Sequence, residues 1–74
     1  MISLKDAKIK AQYTIEKIDN IDKKINQRLC EMGFVSGQKV RITNKSIFGG
    51  VRLVEIRGYT LSIRTSLLKD VWVK

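Results

Sequence analysis

Histidine is absent from this chain of 74 residues, and with it the commonest general base and the commonest nitrogen ligand for a transition metal. The Ser and Thr hydroxyls are left with no visible base to activate them as nucleophiles. Proline is absent too, so no Pro-rich linker divides the chain, and neither internal repeats nor low-complexity segments occur. The single cysteine, Cys30, cannot form an internal disulfide, and one thiol falls short of the roughly four ligands of a closed structural metal site. Apolar runs are short, far below the length of a signal-peptide core or a membrane span. Gly49-Gly50 stands without the rest of any phosphate-cradling motif. No active site and no metal site is legible, no cofactor is implied by the side chains, and a reducing cytoplasm is the default compartment.

What is present in excess is positive charge. Fifteen Lys and Arg against seven Asp and Glu leave a net charge of +8, which favours an acidic partner: nucleic acid, an anionic membrane surface or an acidic protein face. The positives are scattered, with Lys23-Lys24 and Lys8-Ile9-Lys10 as the densest groups, the pattern of a solvated basic surface. The acidic residues are spread singly apart from Asp19 and Asp22, which suit helix capping better than a hard-cation site. A chain of this length makes one domain, residues 1–74, and buries only about 60% of its unfolded surface.

Apolar spacing predicts the elements. Ile2, Leu4, Ala7 and Ile9 supply enough apolar surface to dock a short turn or helix, and Ala11 to Glu16 alternates with the period of a half-buried strand. Asp19, Asn20 and Asp22 are all N-cap candidates for the helix that follows. Its stripe is Ile21, Ile25, Leu29 and Met32, at spacings of four, four and three. Gly33 falls at the C′ position, where a left-handed conformation ends the helix, and Phe34 should fold back on Leu29. Ser36-Gly37-Gln38 turns the chain into a strand with Val40 and Ile42 facing inward, and Phe48-Gly49-Gly50 interrupts it with a flexible loop. Val54–Arg57 and Thr60–Arg64 read as a hairpin turning at Gly58-Tyr59, with Gly58 at positive φ. Thr65 to Asp70 has room for one helical turn, and Val71–Val73 closes the chain as a strand. Five short strands and one real helix predict a mainly β fold, a partly open barrel with the helix plugging one end.

The surface candidates follow from the same phase. Arg41, Arg57 and Arg64 alternate with inward-facing Ile residues, so they could converge on one cationic face with Tyr59 at its edge. Tyr59 and Trp72 could stack on bases, although Trp72 could equally cover a barrel seam. Leu53 is out of phase with Val54 and Ile56, and beside Phe48 it could seed a protein-binding patch. On a helical wheel Cys30 falls roughly opposite the Ile25–Leu29 stripe, where it could pack as a small hydrophobe or be partly exposed.

The run Arg28-Leu29-Cys30-Glu31-Met32-Gly33-Phe34 resembles the signature R-L-x-E-M-G followed by an apolar residue of the FeoA family, small cytoplasmic proteins of bacterial ferrous-iron uptake. Gly37 followed by Val40 is similar to that family's turn into a strand. Glu55-Ile56-Arg57-Gly58-Tyr59 with Leu61, Ile63 and Arg64 looks like its hairpin, and Val71-Trp72-Val73 like its closing strand. The family often has Pro-Gly or Gly just before the first strand, where this chain has Lys8-Ile9-Lys10-Ala11, and Cys30 stands where an aliphatic residue is common.

The resemblance implies a small SH3-like β-barrel, also found as the C-terminal domain of iron-dependent repressors. It implies a non-enzymatic accessory of FeoB, the Fe²⁺ transporter with a cytoplasmic GTP-binding part, and an association with transition metals at the level of the family. It implies no membrane insertion, no DNA or RNA partner, and a cytoplasmic location with recruitment to the membrane by the transporter. Leu29, Glu31, Met32, Gly33, Gly37 and Gly58 are then expected to build the fold. Arg57, Tyr59 and Arg64, followed by Leu53, Phe48 and Arg41, are left to make the contact. A nucleic-acid-binding barrel and a transition-metal-binding domain are the alternatives.

Overall fold

The alternation after Ala11 is realised as a strand, with Ile15 buried and Tyr13 and Ile18 packed against the core on either side of it. The computed structural model describes the backbone of residues 1–45 and 50–74, and the side chains of these residues except Asn44 and Lys45. Along the chain lie β1 (Ile2–Ser3), a 3-10 turn (Leu4–Asp6), β2 (Gln12–Ile18), α1 (Lys23–Glu31), β3 (Lys39–Lys45), β4 (Val51–Ile56), β5 (Tyr59–Arg64), the single turn α2 (Thr65–Leu68) and β6 (Val71–Val73). The six strands pair antiparallel in the order β1-β6-β2-β3-β4-β5. That is one strand more than the apolar pattern predicts, because two residues at the N-terminus are too few to show a period. The mainly β architecture with one main helix stands as read.

β2 curls the sheet. Its first half, Gln12 to Thr14, pairs with β3, and its second half, from Ile15, pairs with β6 across a bulge between Ile15 and Lys17. A bulge increases the local twist and lets one strand serve two sheet segments, as a small barrel requires. The inward residues of β2 to β6 meet in one core, with Leu4, Ile15, Phe34, Ile42, Val54, Ile56, Leu68 and Val73 almost wholly buried. The N-terminal segment docks through Leu4 and Ala7, whereas Ile2 and Ile9 keep about 40% of their surface exposed.

The helix differs from its predicted stripe at one end. Asp22 is the N-cap, its Oδ1 accepting from the Lys24 N–H at 2.9 Å. Ile21 therefore precedes the helix and is fully exposed rather than part of the apolar face; a periodic spacing buries a residue only while the backbone is helical. Leu29 is buried, with Ile25 and Met32 packed at the core's margin. Asn20 bridges instead of capping: its Oδ1 accepts from the Asp22 N–H, and its Nδ2 donates to Asp70 at 3.0 Å.

The stop is a Schellman motif. Phe34 N–H donates to Leu29 O and Gly33 N–H to Cys30 O, each at 3.0 Å, with Gly33 at φ +106°. Phe34 is thereby turned under the helix into the core that Leu29 also enters. Before β2, Lys10 holds φ +71°, a conformation that costs a side-chain-bearing residue energy, while its N–H donates to Ile42 O at 2.6 Å.

Candidate functional site

The β4–β5 hairpin turns on two residues, Arg57 at φ +53° and Gly58 at φ +86°. Two consecutive left-handed residues make the turn whose twist matches that of paired strands. This corrects the predicted turn: Arg57 belongs to the loop and not to an outward strand position, and Tyr59 opens β5. The reason is register. Ile56 pairs with Tyr59, which leaves only the two residues between them to reverse the chain.

Two grooves divide the candidate residues. The first, of about 280 Å³, runs where β2, β3 and β4 end, with Gln12, Lys39, Arg41, Glu55 and Arg57 along it. Arg41 lies between Gln12 and Glu55 in one cross-strand row; it is half-buried, and its Nε is shut off from solvent without a hydrogen bond. The Arg57 stem passes over the helix stop, with its Cδ only 2.8 Å from where a Cβ on Gly33 would stand.

The second groove, of about 500 Å³, separates α1 from β5 and α2. Ile25, Leu29, Met32, Ile63 and Leu67 make its apolar lining, with Arg28 and Arg64 on opposite sides. The structure thus brings Arg41 and Arg57 together and sets Arg64 apart. Arg64 is four residues along β5 from Thr60, the strand's member of the Arg41 row, or about 13 Å at 3.3 Å per residue. Tyr59 is 48% exposed at the hairpin end. Leu53 is half-buried on the side of β4 opposite Val54, and Phe48, its proposed companion, lies outside the described residues, as does the predicted loop up to Gly49.

Two arginines were not singled out from the sequence. Arg52 pairs with Ile63 across β4 and β5, and its Nε and one terminal nitrogen are shut off from solvent without a partner among the described residues. Its phase with Val54 and Ile56 was the available signal. Arg28 was hidden inside the signature, although it is one turn before Met32 and shares its groove. Glu31 points elsewhere, within 3.4 Å of the Gln27 amide.

Cys30 is exposed and free. Among the described residues no three of Cys, Asp and Glu come together in a way that could hold a metal ion, so no donor set for Fe²⁺ is assembled there. No described helix is long and apolar enough to cross a membrane.

Comparison with solved structures places this arrangement. A FeoA-like protein from Clostridium acetobutylicum is 32% identical and superposes with a TM-score of 0.88, over 99% of this chain and 84% of its own. FeoA of Stenotrophomonas maltophilia, solved with zinc and put forward as a prokaryotic SH3-domain protein activating ferrous iron transport, is 28% identical at a TM-score of 0.85, over 100% of this chain and 91% of its own. A manganese-dependent transcriptional repressor shares the fold at 19% identity and a TM-score of 0.88, this chain spanning 35% of its length. No curated protein matches. The FeoA domain model matches residues 2–74, so this chain, an SH3-like barrel, belongs to the FeoA domain family, which is associated with ferrous iron transport.

Proposed function

We propose that this chain is a non-catalytic accessory of ferrous-iron uptake that binds the cytoplasmic, GTP-binding part of a FeoB-type membrane transporter. The observation that carries this reading is the match to the FeoA domain over residues 2–74. The charge of the surface supports it: the molecule carries +8, while the one salt bridge among the described residues joins Lys74 to Glu16. The arginines of both grooves are left to meet acidic groups on another protein. Fe²⁺ is then the transporter's cargo, and this chain acts on the transporter from the cytoplasmic side.

Arg57, Tyr59 and Arg64 make the contact, with Arg41 beside Arg57 in the first groove and Leu53 on the neighbouring strand β4. Immobilised protein should retain the purified cytoplasmic part of the transporter. Reversing Arg57→Glu and Arg64→Glu together should weaken retention by about tenfold at low salt, where exposed charges are least screened. Undiminished retention by the double variant removes these residues from the contact. No retention by the unmodified protein removes the function.

A further inference from the structure

The second groove is bordered by a strand edge. β5 is the last strand of the sheet, with no described strand beyond it. In its hairpin, Ile56 and Tyr59 flank the two-residue turn, so they, Val54 with Leu61, and Arg52 with Ile63 exchange the ladder hydrogen bonds. The backbone groups of Thr60 and Ser62 and the N–H of Arg64 therefore point away from β4. Ser62 and Arg64 both line the groove facing α1. An exposed row of backbone donors and acceptors is a template for a further strand, and proteins ordinarily cover or blunt it. Here the edge carries neither proline nor lysine, and it opens beside apolar side chains from α1.

We infer that β5 receives an extended, acidic segment of a partner protein as a seventh strand, laid in the groove between β5 and α1. Backbone hydrogen bonds to Ser62 and Arg64 hold the segment, and alternate apolar side chains of the guest enter between Leu29, Met32 and Ile63. Its acidic residues meet Arg28 and Arg64, neither of which has a salt-bridge partner among the described residues. This charge complementarity decides for an acidic segment over a neutral one. The inference rests on the proposed binding of the transporter's cytoplasmic part and names the surface and the mode.

The test is Ser62→Pro. Proline at this position removes an N–H that the fold does not use and leaves the β4 ladder whole, as an edge strand tolerates. The variant should keep its circular dichroism and lose affinity for the transporter's cytoplasmic part by about tenfold, the factor for one lost hydrogen bond at the upper end of its usual worth. In the unmodified protein, binding should slow amide exchange at Ser62 and Arg64, while Leu61 and Ile63, bonded to β4 already, change much less. Retention of Ser62→Pro equal to that of the unmodified protein overturns strand addition and leaves the proposed function standing. So does protection confined to α1 or to the Arg57 turn. Should the variant fail to fold, the exchange pattern of the unmodified protein decides alone. Absence of any binding by the unmodified protein overturns both readings.

Discussion

Gly33→Ala isolates the backbone demand of the helix stop. Gly33 is at φ +106°, well past the left-handed minimum near +57° that other residues occasionally reach. A left-handed conformation costs an L-residue about 1–2 kcal/mol, and the distance from the minimum puts Ala at the upper end of that range. The added Cβ would also stand 2.8 Å from Arg57 Cδ and 3.7 Å from Ile56 Cδ1. The second distance is ordinary contact, and the first is relieved by moving an exposed, flexible side chain. Backbone conformation therefore dominates the loss, and the Arg57 contact adds little. A domain of this size has roughly 4–11 kcal/mol of stability in all, at 0.05–0.15 kcal/mol per residue. A loss of ~2 kcal/mol lowers Tm by roughly 8–16 °C. Thermal unfolding followed by circular dichroism measures it. Repeating the substitution in an Arg57→Ala background separates the two contributions, with a coupling below about 0.5 kcal/mol expected. An unchanged Tm for Gly33→Ala would refute the backbone argument, and a loss that vanishes in the Arg57→Ala background would transfer it to the side-chain clash.

Lys10→Gly should raise stability by roughly 0.5 kcal/mol, since relief of the strain at φ +71° outweighs the greater freedom of glycine in the unfolded chain; a lower urea midpoint would show that the Lys10 conformation is not strained. Asp22→Ala should cost about 1 kcal/mol by removing the cap on Lys24 N–H, whereas Asp19→Ala should stay within about 0.5 kcal/mol. Equal losses for the two would mean that the cap is misassigned.

The elements were legible wherever a demand is local. Gly33 and Phe34 announced the helix stop because its hydrogen bonds join residues within five positions of one another. Alternation announced β2 to β5 for the same reason. The cap was legible only as three candidates, since Asp19, Asn20 and Asp22 each have the chemistry and only the docking of Asn20 on Asp70 chooses among them. Of the candidate surface, the residue types were readable and their grouping was not. Arg57 was placed one position too early relative to the turn, and that shift takes it out of the strand.

The linear chain by itself determined the class of fold, the helix and its stop, because each follows from a residue and its near neighbours. Tertiary pairing alone decided that Arg41 and Arg57 share one groove while Arg64 faces Arg28 across another. It also decided that Arg52 is half-buried with nitrogens unpartnered among the described residues, and that β5 ends the described sheet. These facts depend on register between strands remote in sequence, and a shift of one residue in that register would move every side chain to the other face.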